Sequence, residues 1–325
     1  MANMYRKLAA LISGVSLILI CTTEFSLRAV YGLGSPPLIQ RETASGYEFR
    51  PNQHLLRFGK RIEYNSEGLR SEPLRTLTAD SIRILCLGDS VTNGGALTDQ
   101  SATFPYQLEA ELVRSGLNVQ ALNASAGGWA PANEAGFIRD HGLFGSKEVV
   151  WELGTHDLFG GRALPVPSDP NFPEHAPFSA TSELLTRYLW PRLFGGLMGD
   201  SPLPVLSNDE GERLACLRLL GSTAALIKSR GAVLVFLLMP EAREFQEPDF
   251  AAVAKREFLQ EATRLTIPVI NPYPDLLSSK KLGQNPFRDS IHPNPLGNRI
   301  MAKAVAGYLQ HTLPTAQNLR TRAAR

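Results

Sequence analysis

The sequence predicts an α/β protein, a three-layer α/β/α body around a central five-stranded parallel sheet, preceded by an N-terminal membrane helix. Three observations predict it. Five short runs rich in apolar and β-branched residues recur from residue 82 onward. Helical periodicity fills the intervals between them, and strands alternating with helices imply a parallel sheet covered on both faces. Ahead of this pattern, Arg6 and Lys7 precede an apolar run from Leu8 to Thr23. With 325 residues, 43% of them hydrophobic, the chain can bury a sizeable core. A net charge of +2 points to no nucleic-acid partner.

Residues 1–31 read as the membrane element. The charged start and apolar middle are those of an export signal. The run is short for a span of about 17–25 residues, but Glu24 to Tyr31 extends it as an amphipathic helix. Cys21-Thr22-Thr23 is a poor cleavage site, and Ile20 is too bulky for a lipoprotein site. An uncleaved signal anchor is expected; a cleaved signal and a buried helix are the alternatives. The positive-inside rule keeps Arg6 and Lys7 cytoplasmic and sets the main domain on the extracytoplasmic side. Residues 32–80 read as a linker and small β-rich extension, with Ser35-Pro36-Pro37 as a stiff segment and Asn65-Ser66-Glu67-Gly68 as turn chemistry.

Residues 81–313 read as the main domain. Its strands are expected at Ile82–Leu87, Val119–Leu122, Val149–Leu153, Val233–Leu238 and Ile267–Ile270. Helices are expected at Tyr106–Arg114, Glu212–Lys228, Phe250–Arg264 and Leu296–Leu309, the last with Pro295 near its start. Residues 160–208 interrupt the rhythm with Pro165, Pro167, Pro170, Pro173, Pro177 and Pro191. They also hold Phe172, Phe178, Tyr188, Trp190 and Phe194, and read as a lid-like insertion on the substrate side. Residues 314–325 read as a basic, frayed tail. Cys21, Cys86 and Cys216 form no metal-type spacing and read as packing residues, with a Cys86–Cys216 disulfide left open.

In an open α/β sheet, ligands sit beyond the carboxyl ends of the strands. The segments there are Gly88-Asp89-Ser90, Asn123 to Trp129, Gly154-Thr155-His156-Asp157 and Arg288 to Asn294. They should converge on one rim. A serine is a weak nucleophile until an oriented base removes its proton. His292 is the natural base for Ser90, and Asp289, three residues earlier, can orient it. The N–H groups of Ser90 and a glycine near Gly128 could serve a developing oxyanion.

These residues resemble the GDSL/SGNH hydrolase superfamily. The blocks are Gly88-Asp89-Ser90 after an apolar strand, Asn123 to Gly128, Gly154-Thr155-His156-Asp157, and Asp289-Ser290-Ile291-His292-Pro293. The resemblance runs from Ser81 to about Leu313. It implies a flavodoxin-like fold, with Ser90 as nucleophile, His292 as base, Asp289 as its orienter, and the N–H groups of Ser90 and Gly128 as oxyanion donors. The third block departs from the family's pattern: where an Asn amide is usual, this chain has His156. A ring N–H could replace that donor, His156 could instead contact substrate, or the site could be impaired.

The expected activity is that of a serine esterase on carboxylic O-acyl esters, with O-acetyl groups of a cell-envelope or exported polysaccharide favoured. A lipase, thioesterase or O-acyltransferase is the runner-up, so an acylated glycan or a lipid is the expected partner. A non-catalytic glycan-binding or assembly factor on the same fold is the alternative of another class. Neither a cofactor nor a metal is expected, because the six histidines show no clustered spacing. Asp89 reads as a turn residue and Asp157 as a brace for its block; His54, His141, His175 and His311 read as structural or exposed. Asn123-Ala124-Ser125 is a glycosylation signal only in a eukaryotic secretory setting.

Overall fold

The computed structural model describes residues 2–160, 163, 166, 172–193 and 209–313. Pro165, Pro167, Pro170 and Phe194 of the expected lid, and the tail 314–325, lie outside the described residues. The chain opens on α1 (Ala2–Tyr31), followed by two antiparallel hairpins, β1 (Ile39–Glu42) with β2 (Gly46–Phe49), and β3 (Gln53–Arg57) with β4 (Lys60–Tyr64). The body then runs β5 (Ile82–Gly88), α2 (Ser90–Asn93), α3 (Phe104–Arg114), β6 (Val119–Ser125), α4 (Pro131–His141) and β7 (Glu148–Gly154). After α5 (Ala180–Glu183) come α6 (Glu210–Ser229), β8 (Val233–Met239), α7 (Ala252–Arg264), β9 (Val269–Ile270), α8 (Tyr273–Lys281) and α9 (Pro295–Thr312).

The sheet is the parallel, five-stranded one that the sequence predicts, in the order β6-β5-β7-β8-β9. Because the side-chain period of a strand is two, each central strand feeds two cores. Leu85, Leu87, Val149, Trp151 and Phe236 face one layer, packed on α4, α6 and α7. Ile84, Cys86, Val150, Val235 and Leu237 face the other, packed on α3, α8 and α9. Cys86 and Cys216 therefore sit on opposite faces of the sheet, and both are free thiols. β9 is shorter than its apolar run, because only Val269 and Ile270 pair as strand residues. Besides the one-turn helices α2 and α5, the longer α4 and α8 carry no periodicity that marks them in the sequence. In α4 the buried face carries Asn133, Glu134 and Gly136, which breaks the apolar stripe that would have marked it.

One N-terminal helix is long and apolar enough to cross a membrane. Its residues 3–23 are exposed, whereas Leu27 is buried with Leu33 and Ala180, packed on by Phe58, Leu184 and Tyr188. A buried ion pair locks this corner. Arg57 donates to Glu183 Oε1 at 2.5 Å and to the Gly32 carbonyl at 2.9 Å, while Glu183 Oε2 accepts the Gly34 N–H at 2.5 Å. Arg57 is fully buried. Removing one partner of a buried pair strands the other charge and costs about 3–5 kcal/mol, whereas replacing both with apolar groups is often near neutral. Glu183→Leu is therefore expected to lower the thermal unfolding midpoint in detergent, and Arg57→Met combined with it to restore most of the loss. An equal or larger loss in the double variant would show that the pair itself does not hold the corner.

Candidate active site

The order of the sheet reverses at β5, the usual place for a ligand crevice in such folds. β5 ends on Gly88, where a side chain would meet Thr92 Oγ1 at 2.5 Å and Glu152 Oε2 at 2.8 Å. Glycine lets the chain turn there at once into α2. Asp89 caps that short helix through Oδ1, which accepts the Val91 N–H at 2.7 Å. Ser90, its first residue, is thereby fixed at the rim.

The loop before α9 comes to the same rim. Arg288 N–H donates to the His292 carbonyl at 2.9 Å, and Phe287 bridges Pro293, closing a tight loop. Asn294 then caps α9 by accepting the Leu296 and Gly297 N–H groups at 2.9 and 3.2 Å. Within this loop Asp289 Oδ1 accepts the N–H groups of Ile291 and His292 at 3.0 and 2.8 Å. Partial burial works against the Asp289 charge, but these N–H groups and His292 outweigh it and hold the carboxyl below its ordinary range. His292 Nδ1 lies 2.9 Å from Asp289 Oδ2, and His292 Nε2 lies 2.9 Å from Ser90 Oγ. A hydroxyl at that distance can pass its proton to the ring, and a carboxylate on the far nitrogen selects the tautomer able to take it.

The second block is structural at its start and open at its end. Asn123 is buried and donates from Nδ2 to the Thr92 carbonyl at 3.0 Å, tying β6 to α2. Gly127 lines the cavity beside Ser90 and His292, and its carbonyl accepts the Tyr47 hydroxyl. Gly128 follows with φ +75, the left-handed region that favours glycine.

His156 sits deeper. It lies in the 3₁₀ turn Thr155–Phe159 after β7, stacked so closely on Gly154 that a Cβ there would come within 2.3 Å of the ring. Its Nε2 is 3.1 Å from Asp89 Oδ2 and 3.8 Å from Asp157 Oδ2, and its Nδ1 is 3.6 Å from Glu241 Oε1. The ring thus faces carboxylates on both sides and does not line the cavity. Burial alone would lower its pKa; Asp157, Asp89 and Glu241 override that and push it well above the ordinary value, so the imidazolium form is favoured. Burial raises Asp89, but the hydrogen bond and charge of His156 and the Val91 N–H reverse the sign. Burial pushes Asp157 up to about 7 despite His156 beside it. Glu134 and Glu152, also buried there, are raised well above the carboxylate range, chiefly by burial.

Sequence spacing pointed to no metal cluster, yet the fold brings one ligand atom each of Asp89, His156 and Asp157 within 4.8 Å of one another. The three atoms offer one ring nitrogen and two carboxylate oxygens, and the acids around the ring favour its protonated form. Glu241, which completes the cluster, follows β8 and carries no motif that would have revealed it. The cavity walls from α1 and the hairpins, such as Leu27 and Phe49, were equally invisible.

No protein-family model matches the chain, and no curated protein matches it either. Among solved structures, the fold is similar to that of a member of the lipolytic protein G-D-S-L family from Veillonella parvula, at 18% identity and a TM-score of 0.44, covering 70% of this chain and 98% of the other. It is similar to the lipase/acylhydrolase from Enterococcus faecalis at 15% identity and a TM-score of 0.43, covering 72% and 97%. An acetyl xylan esterase is similar at 12% identity and a TM-score of 0.48, covering 70% and 100%.

The raised pKa of His156 sets a sign for pH dependence. Its stabilisation is complete below the ordinary histidine pKa of about 6.5 and is lost as pH rises through the higher folded value. In His156→Gln, stability from chemical denaturation in detergent should fall by on the order of 3 kcal/mol at neutral pH. The decline of wild-type stability on the alkaline side should flatten in the variant. Parallel curves for the two proteins would mean that the ring is neutral.

Proposed function

We propose that the protein is a serine esterase that hydrolyses carboxylic O-acyl esters. The observation that carries this reading is the chain of contacts Ser90 Oγ, His292 and Asp289, with 2.9 Å at both joints. Ser90 Oγ attacks the ester carbonyl carbon while its proton passes to His292 Nε2. Asp289 holds the opposite N–H and stabilises the imidazolium. The oxyanion is received by the N–H groups of Ser90 and Gly128. Collapse of the tetrahedral adduct breaks the ester C–O bond, and His292 returns the proton to the leaving alcohol. Water, deprotonated by His292, then attacks the acyl-serine and releases the acid.

His156 acts in this reading as a half-buried counter-ion. It steadies Asp89, whose other oxygen caps the helix that begins with Ser90. This differs from the expectation that its ring N–H replaces an oxyanion donor, because both nitrogens are directed at carboxylates.

The cavity beside Ser90 has a volume of about 880 Å³, near the upper end of the roughly 300–1,000 Å³ of small-molecule sites. An acetyl group would fill a small part of it, so the volume supports a long acyl chain over acetyl. The second reading is removal of O-acetyl from an envelope or exported polysaccharide, with the sugar in the cavity. It draws on the aromatic rings of Phe49, Phe172 and Tyr188 in the lining. In either case α1 serves as the anchor, with Arg6 and Lys7 on the cytoplasmic side and the esterase domain outside.

A series of p-nitrophenyl esters from acetyl to long chain, given to the full-length protein in detergent, tests the reading. Ser90→Ala and His292→Ala should each lower kcat by about 10³-fold or more, and Asp289→Asn by a smaller factor. A fluorophosphonate should label Ser90 stoichiometrically. Unlabelled Ser90 together with turnover that survives Ser90→Ala would overturn the nucleophile assignment, and no labelling with no turnover would favour a binding protein on this fold.

A further inference from the structure

The substrate cavity is walled in part by the N-terminal helix. Leu27 and Tyr31 line it together with Ser90 and His292. Residues 3–23 of that helix are exposed throughout. The uncharged part of that stretch, Leu8 to Thr23, runs about 24 Å at 1.5 Å per residue, and Arg6 and Lys7 at its far end can snorkel to the opposite interface across a locally thinned hydrocarbon core. The next residue, Glu24, already belongs to the folded domain: its carboxylate accepts the Ala180 and Thr181 N–H groups at 2.8 and 2.9 Å. Leu27 is buried, and it stands four residues, about 6 Å, beyond the exposed stretch. The bilayer boundary and a wall of the cavity are therefore consecutive turns of one helix. The domain cannot drift from the surface without unpacking that wall.

The charge of the lining is the second observation. Arg187, Arg192 and Arg288 line the cavity, and among the described residues no Asp or Glu does. Glu183 behind them accepts from Arg57 at 2.5 Å and from Arg187 at 3.2 Å. Arg288 stands 3.6 Å from Asp289, which is itself occupied by His292. Arg192 contacts the Tyr188 carbonyl at 3.4 Å, and its charge adds to the positive lining. Among the described residues the lining is thus apolar along much of its wall and carries three arginines.

On the esterase reading above, we propose that the substrate is an anionic phospholipid drawn from the adjoining leaflet. Its acyl chain lies along the wall that Leu27 helps to form, its ester carbonyl meets Ser90, and its phosphate is held by Arg187, Arg192 and Arg288. The ester C–O bond breaks, the acyl group passes to Ser90 and then to water, and a fatty acid and a lysophospholipid leave. No co-reactant other than water is needed.

The test reconstitutes the full-length protein into phosphatidylcholine vesicles with and without phosphatidylglycerol and measures released fatty acid, with p-nitrophenyl acetate turnover measured in parallel. The expected result is Ser90-dependent release that is about tenfold faster from phosphatidylglycerol. Arg192→Gln should lower that preference severalfold. Leu27→Trp, which narrows the cavity, should lower the ratio of lipid to acetate turnover about tenfold. Acetate turnover without fatty-acid release overturns the lipid substrate and leaves the esterase reading standing. Release that ignores lipid charge and Arg192→Gln overturns the arginine assignment. Faster cleavage of soluble palmitoyl-coenzyme A than of vesicle lipid overturns the leaflet as source. Absence of Ser90-dependent turnover on every substrate overturns the esterase reading itself.

Discussion

The carboxylate of Asp89 is the joint on which the site depends. One oxygen caps α2 through the Val91 N–H, and the other faces the His156 ring at 3.1 Å. The end of β5, which carries Ser90, is thereby tied to the end of β7, which carries His156. Glu241 after β8 faces the other side of the same ring. An isolated carboxylate buried this deeply would be costly to ionise. Here one imidazolium serves several acids, while Glu134 and Glu152 are pushed toward their neutral forms. The charge of the cluster is limited by titration as well as by pairing.

The two halves of the serine–histidine pair are held in different ways. Ser90 stands on a helix turn fixed by the end of β5, an inner strand of the sheet. His292 stands on a partly exposed loop, fixed by its own bridge and by the Asn294 cap of α9. Asp289 is 46% exposed at its side chain, yet two backbone N–H groups keep it charged and aimed. A histidine carried on a short closed loop can meet a serine at a strand end without being part of the sheet. Such placement is common when a rigid scaffold presents loops at strand ends.

The N-terminal helix belongs to the folded body as well as to the apolar segment before it. Its last turns pack on the β3–β4 hairpin and on α5, through Leu27, Phe58 and Ala180 and through the Arg57–Glu183 pair behind them. A protein trimmed at Gly32 would lose Leu27 and Tyr31 from the cavity wall. Full-length protein is therefore the meaningful material for any measurement of substrate preference.

The sequence by itself determined the strands, their parallel arrangement and the meeting of Ser90, Asp289 and His292. These are local properties: apolar runs of strand length, helical periods between them, and small or polar residues at each strand end. A parallel sheet brings all its carboxyl ends to one rim, where Ser90 stands, and the loop before α9 carries Asp289 and His292 to the same rim. Only the tertiary structure decided what His156 faces, because Glu241 reaches it from another strand and Asp89 is 67 positions away in the chain. The same holds for α4, whose buried Asn133 and Glu134 find partners in Ser45 and Trp151 that no periodicity can announce. The cavity wall was also undetermined, since Leu27, Phe49 and Tyr188 come from three segments with no shared motif. Spacing encodes contacts within an element or at a common strand end; contacts between side chains of distant segments arise from packing, which the order of residues does not spell out.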